Sequence, residues 1–323
     1  MKPTSSRRPF LGLMACALLA PSLAQAAEPP LRLIVPFPPG GATDITARVV
    51  AEPLGRLLGR NVVVDNRPGA GGSVGMAEAA RAAADGSTLA VATLSTHGVN
   101  PAVYRKLPYD PLRDFVAVTE LVRAPGVLVV HPSVPAQDLP SFIAYLKARP
   151  DQINYASPGN GTIGHMWAEL FKSATGTSMT HIPYRGAGPA LTDLIAGRAQ
   201  VYFDQVASSL PHIQSGKLRA LAVSWEGRLA VLPEVPTFAE AGLAASNDAS
   251  WFGLVAPAGT PPAAVAKIQA AAAAAVREPA VARRLQELGL FPSGSSPQAF
   301  GAQLREEIAK MKRVSEFARI TLD

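Results

Sequence analysis

Apolar positions along the chain alternate between two spacings. Short runs rich in Leu, Val and Ile predict β-strands at 31–35, 62–65, 89–93 and 115–122. Between them, apolar residues at helical spacing predict helices over 45–58 and 73–83. A second series follows: strand 127–130, helix 139–148, strand 153–156, helix 163–173 and strand 180–183. It continues with helix 188–196, strand 199–203, helix 208–215 and strand 218–223, Gly197 being placed to end the third helix in a left-handed cap. The last third turns to longer helices. Thr260-Pro261 opens one that runs to about Arg277, and Pro279 opens another that stops at Gly289. Ser296-Pro297 opens the last, which runs to about Ala318 with Phe300, Leu304, Ile308, Met311 and Val314 on one face.

This alternation predicts an α/β protein built on largely parallel sheets. Arg123-Ala124-Pro125-Gly126 leads out of the first series, and Ala249-Ser250-Trp251-Phe252-Gly253 leads back. Two crossings imply two α/β lobes, residues 27–124 plus 253–323 and residues 125–252, joined by a hinge.

One design occurs twice. After strand 31–35 comes Pro36-Phe37-Pro38-Pro39-Gly40-Gly41-Ala42-Thr43-Asp44 and then a helix; after strand 153–156 comes Ser157-Pro158-Gly159-Asn160-Gly161-Thr162 and then a helix. A helix N-terminus carries unpaired N–H donors and the positive end of the helix dipole. Two such ends facing one cleft suit a small anion. The ordinary alternative is a pair of structural turns, with Gly-Gly making a tight bend and Asp44 favouring its helix N-terminus.

The first residues read as an export signal. Lys2, Arg7 and Arg8 precede an apolar stretch, residues 10–23, and Ala24-Gln25-Ala26 is a small-x-small cleavage site. Ser6-Arg7-Arg8-Pro9-Phe10-Leu11 also resembles the twin-arginine signature, so twin-arginine and general secretory export both stay open, and Cys16 leaves a lipoprotein as a third option. Cleavage after Ala26 leaves 297 residues, removes the single cysteine and lowers the formal charge from +6 to +3. The mature chain then forms no disulfide and offers no thiol nucleophile. Its weak positive charge, with no basic run interleaved with aromatics, gives no reason to expect a nucleic-acid partner.

The remaining motifs favour binding over catalysis. Asn66-Arg67-Pro68-Gly69-Ala70-Gly71-Gly72-Ser73 is a further Gly-rich entry to a helix, and Thr93-Leu94-Ser95-Thr96-His97 places hydroxyls just beyond a strand. Ligands of open α/β sheets bind beyond the carboxyl ends of strands, where all these loops fall. Asp204 ends strand 199–203 and either caps the next segment or faces the cleft. The sequence has no P-loop, no Gly-x-Gly-x-x-Gly fingerprint and no Gly-x-Ser-x-Gly elbow, and its five histidines lack metal-ligand spacing. No cofactor, metal or catalytic group is expected.

Pro38-Pro39-Gly40-Gly41-Ala42-Thr43-Asp44, the stretch from Val63 to Gly72 and Asp85-Gly86-Ser87-Thr88-Leu89 resemble the Bug family. Its members are the TctC-like periplasmic solute receptors of tripartite tricarboxylate transporters. His181-Ile182-Pro183-Tyr184-Arg185-Gly186, the stretch from Gly216 to Ala222, Val235-Pro236-Thr237 and the stretch from Ala256 to Pro261 extend the match in order over nearly the whole mature chain. Arg60 stands where the family commonly has Gln, away from the cleft. The resemblance implies a type II periplasmic-binding-protein fold whose lobes close on a small carboxylate for delivery to a membrane permease. It carries ligand contact onto Phe37, Gly40, Gly41, Thr43 and Asp44, and onto Ser157, Gly161 and Thr162, and extends it to Ala70, Gly71, Ser95, Thr96 and Asp204. The loops at 36–44, 95–97 and 157–162 contain no Arg or Lys, so the anion would rest on backbone N–H groups, hydroxyls and waters. The expected protein is a monomeric periplasmic carboxylate receptor. The alternatives are an orphan receptor that signals to a membrane sensor kinase and an exported α/β hydrolase.

Overall fold

A computed structural model describes residues 29–317 and 320–322. The export signal, Cys16 and the end of the last helix at Ala318 lie outside the described residues. Two sheets organise the rest. The first contains β1 (Leu31–Val35), β2 (Val62–Asn66), β3 (Thr88–Thr93), β4 (Phe115–Ala124), β10 (Ser250–Pro257) and β11 (Phe291–Pro292), in the order β11-β4-β10-β3-β1-β2. The second contains β5 (Gly126–Val130), β6 (Asn154–Ser157), β7 (Thr180–Pro183), β8 (Val201–Gln205) and β9 (Arg219–Ser224), in the order β7-β6-β8-β5-β9. Both sheets are mixed. β1 runs parallel to β2 and β3, and β6 runs parallel to β7 and β8; β10 and β5 pair antiparallel with their neighbours.

The sequence explains which strands are central. β3, β5 and β10 are buried at every position, as strands covered on both faces must be, whereas β2 at the sheet edge carries Asp65 and Asn66 and is only partly buried. The helices around the first sheet are α1 (Ala42–Leu58), α2 (Ser73–Ala80), α3 (Asn100–Val103), α8 (Pro262–Arg277), α9 (Pro279–Glu287) and α10 (Pro297–Phe317). Those around the second are α4 (Leu139–Lys147), α5 (Ile163–Thr175), α6 (Ala187–Ile195) and α7 (Val206–Gln214). α1 buries Ala47, Val50, Leu54 and Leu58 in a core shared with β1, β10 and α8, and Gly59 stops it in a left-handed cap at φ 73°.

The chain passes between the sheets twice. β4 ends at Ala124, Pro125 intervenes, and Gly126 opens β5. Only glycine fits there, because a Cβ on Gly126 would stand 2.5 Å from Ser224 Oγ and 2.8 Å from the Trp167 ring. On the return, β10 already pairs with β4 at Ser250↔Ala124. Residues 250–252, read from sequence as part of the crossing, therefore belong to the first sheet. Beside the crossings, the Trp225 ring stacks on Phe291 at 4.3 Å, and the Arg123 guanidinium lies 4.6 Å from the centre of the same ring.

Candidate functional site: a cleft between two helix N-termini

The two strand–turn–helix units face each other. Gly41 is the N-cap of α1, and a Cβ placed on it would lie 3.2 Å from the Ala187 Cβ at the start of α6. Thr162 is the N-cap of α5, and the first helical N–H of α5, on Ile163, donates to Ser95 Oγ of the opposite sheet at 3.0 Å. Further out, the Tyr104 hydroxyl donates to the Asn160 carbonyl at 3.0 Å, and Gly71 packs on the same carbonyl. The lobes are in contact along the cleft.

Two cavities lie within it. The inner one, about 30 Å³, is enclosed by buried Gly41, Thr43, Thr93 and Ser95 from one side and by Ile163, Ala187 and Gln205 from the other. The outer one, about 260 Å³, is walled by the turn from Gly69 to Gly72 and by Asn160, Tyr184 and Arg185. Phe37 and Pro158 line both, so the two spaces share a wall. No charged side chain lines the inner cavity. Its polarity comes from hydroxyls, one glutamine amide and the positive ends of α1 and α5.

Local geometry explains how the loops hold their shape. Asp44 sits in the first turn of α1 and reaches back to accept the Gly40 N–H at 3.0 Å, while Asn66 Nδ2 and Arg48 Nε donate to it at 2.9 and 3.0 Å. Burial alone would raise its pKa, but these donors more than offset burial and hold the carboxyl below its usual range. Beyond β3 the backbone takes a π-helical turn, Ser95–Val99, a form concentrated at functional sites. Thr93 and Thr96 lock its start by each receiving the other's backbone N–H on a hydroxyl, at 3.1 and 3.0 Å. Ala70, outside glycine the rarer kind of left-handed residue, holds φ 45° in the outer wall.

Of the residues singled out by sequence, Phe37, Gly41, Thr43 and Ser95 meet at the inner cavity, and Phe37, Ala70 and Gly71 at the outer one. The others are placed behind these surfaces. Gly40 and Asp44 brace the first turn. Thr96 ties Thr93 and lies 3.0 Å from His97 Nδ1. Ser157 Oγ receives the Gly159 N–H and lies 2.6 Å from His181 Nε2, within a stack of Tyr155, His181 and His165. Burial and the neighbouring His165 pull His181 down to about 3, so the ring is neutral. Gly161 donates to His165 Nδ1 at 3.3 Å, and the Thr162 hydroxyl donates to the Gly159 carbonyl at 2.7 Å. Asp204 is fully buried, accepts the Ser208 and Ser209 hydroxyls at 2.6 and 2.7 Å, and is raised by burial to about 6. Both bonds come from side-chain hydroxyls of α7 rather than from its backbone N–H groups, and the N-cap of that helix, Gln205, makes no side-chain cap hydrogen bond. Asp204 thus neither caps α7 nor lines either cavity, and instead ties β8 to the first turns of the helix. Sequence reasoning did not single out Tyr104, Ala187 or Gln205, whose cleft positions follow only from the packing of distant segments, nor Arg185, which it met only as part of the His181–Gly186 motif.

The model of the tripartite tricarboxylate transporter family receptor matches residues 46–319. The chain belongs to that family. This receptor is 38% identical over 282 residues to BugT of Bordetella pertussis, covering 87% of this chain and 86% of BugT. Among solved structures, an R. palustris protein with adipate is 37% identical with a TM-score of 0.88, covering 90% of this chain and 97% of that one. MatC of Rhodopseudomonas palustris with bound malate is 35% identical with a TM-score of 0.84, covering 88% and 98%. The receptor thus has the two-lobed periplasmic-binding-protein fold expected from its sequence. Family and fold are those of solute receptors rather than enzymes, in a transporter context that implies export. Among the described residues, no group of three or more His, Cys, Asp or Glu could hold a metal, and no helix is long and apolar enough to cross a membrane.

Proposed function

We propose that this protein captures a small organic carboxylate between its lobes and delivers it to a tripartite tricarboxylate transporter permease. One observation carries the reading: the N-termini of α1 and α5 converge on one small cavity that no charged side chain lines. A carboxylate there would receive hydrogen bonds from backbone N–H groups and the hydroxyls of Thr43 and Ser95, while Gly40, Asp44, Thr96, Ser157, Gly161, Thr162 and Asp204 keep the loops in shape. The relatives solved with adipate and malate support this ligand class. In this reading the chain is exported to the periplasm with cleavage after Ala26. Residues 29–124 and 250–317 turn as one lobe against the intervening segment, about the crossings at Pro125 and before Ser250.

The Ser157–His181 contact, a pairing that nucleophilic catalysis could use, does not favour hydrolysis. Ser157 Oγ is buried in its own turn and lines neither cavity. The deciding experiment is a thermal-shift screen of mono-, di- and tricarboxylates on protein unfolded and refolded to free it of carried-over ligand. A true ligand at a hundredfold excess over its Kd stabilises by about 2.7 kcal/mol, an increase of a few degrees in Tm. A screen in which no organic acid moves Tm refutes carboxylate capture. Co-purification with sensor domains rather than permease subunits would reassign the receptor to signalling.

A further inference from the structure

The outer cavity holds one cation and no anion. Among the residues lining the two cavities, Arg185 alone is charged. It is exposed in the connection between β7 and α6, and no hydrogen bond or ion pair engages its guanidinium among the described residues. The neighbouring tyrosine hydroxyls and the Asp193 carboxylate are already engaged. Tyr184 donates to Asp193 Oδ2 at 2.9 Å, Asp193 also accepts Arg198 at 2.7 Å, and Tyr104 donates across the cleft to Asn160. The facing wall from Gly69 to Gly72 brings no carboxylate.

Size then determines what reaches Arg185. A single water needs about 10–15 Å³ of such space. The inner cavity, at about 30 Å³, has room for roughly the two oxygens of one carboxylate and little more. The neighbouring space for the rest of a ligand is the outer cavity, on the other side of Phe37 and Pro158, and that cavity is the one Arg185 lines.

We propose that Arg185 determines specificity by pairing with a second anionic group at the far end of the ligand, so that the receptor selects α,ω-dicarboxylates over monocarboxylates of equal length. This rests on the carboxylate reading above and adds a chain-length and charge rule to it. A guanidinium matches a carboxylate with two parallel hydrogen bonds, but at an exposed mouth solvent and salt weaken the pair. The expected preference is therefore on the order of tenfold at low ionic strength.

The test is calorimetric titration with matched pairs, glutarate against pentanoate and adipate against hexanoate, at low and high salt. In the parent protein the diacid of a pair should bind more tightly, and added salt should narrow the gap. Arg185→Gln should bring the diacid down to its monoacid and leave the monoacid unchanged, while Arg185→Lys should keep part of the gap. Arg185 is exposed, so neither substitution disturbs a core. Equal affinity for diacid and monoacid in the parent overturns the proposal while leaving carboxylate capture standing. So does an Arg185→Gln variant that weakens both acids by one factor, or that keeps the preference. Failure of every acid, diacid and monoacid alike, to bind the parent removes the capture reading itself, and the proposal with it.

Discussion

Gly41→Val isolates lobe closure from lobe stability. Gly41 has φ −83° and ψ 165°, ordinary extended backbone that any residue adopts, so the substitution introduces no backbone strain. The new Cβ would nevertheless stand 3.2 Å from the Ala187 Cβ, tighter than the roughly 3.5–4.0 Å of ordinary carbon contact, and valine adds two more carbons to the same gap. Overpacking of this kind costs about 1–3 kcal/mol. Here the cost falls only on the form in which the lobes touch, which corresponds to about 5- to 150-fold weaker ligand binding. The unliganded fold should lose no more than the ~1 kcal/mol that separates a glycine N-cap from an apolar one. Calorimetry with the tightest acid from the screen gives the affinity, and scattering gives the degree of closure. Gly41→Ala should fall between parent and valine variant, and adding Ala187→Gly to it should restore affinity by removing the opposing methyl. Parental affinity in Gly41→Val, or no rescue in the double variant, would refute a contact between these two turns in the bound form.

Two further predictions concern pH. Asp44, held below its usual pKa by Arg48, Asn66 and Gly40, contributes stability that is complete above about pH 4 and lost as pH falls through its folded value. Asp44→Asn should cost roughly 1–2 kcal/mol at neutral pH, the partly exposed Arg48 adding little. The gap between its melting curve and the parent's should narrow as pH falls below about 4, and a gap that does not narrow on acidification would sink the assignment. Asp204 behaves oppositely. Burial keeps its proton in the folded state up to about pH 6, whereas the unfolded chain releases it near pH 4, so its penalty on folding grows between these values to the order of 3 kcal/mol. Asp204→Asn should therefore gain on the parent steadily from pH 4 to pH 6. Buried His97 and half-buried His181, both pulled down to about 3, tilt stability the other way in parent and variant alike, so the difference between the two curves is the measurement. Parallel curves would show that Asp204 does not titrate in that window.

Elements were legible where apolar runs met clear stops. β1, β5 and β8 are short, largely buried runs, and their sequence-read bounds, like those of β6, β7 and β9, agree with the structure to within a few residues. β10 is the exception. Gly253 breaks its apolar run and suggests a crossing, but that glycine is demanded by tertiary packing, since the Phe300 ring of α10 presses on the place its side chain would take. α1 begins at Ala42 rather than at residue 45 because Asp44 braces the turn from inside the helix instead of capping it from outside. The same limit governs the site. The turns holding Phe37, Gly41 and Ser95 announce themselves by glycine and hydroxyl content, whereas Gln205 and Tyr104 reach the cleft only through the packing of segments far apart in the chain. Local pattern records which groups are available; which of them face the ligand and which brace the loops is decided by contacts that no window of sequence contains.

The position of β10 between β3 and β4 also bears on the order in which this molecule can be made. The middle of the first sheet is supplied by residues 250–257, so β3 and β4 have nothing to join them until the ribosome has produced most of the chain. The second sheet draws only on residues 126–224 and can assemble earlier. The N-terminal half of the first lobe therefore waits with open strand edges, the situation in which aggregation and chaperone capture compete with folding. A chain cut just before Ser250 should retain a folded second sheet beside an unfolded N-terminal third.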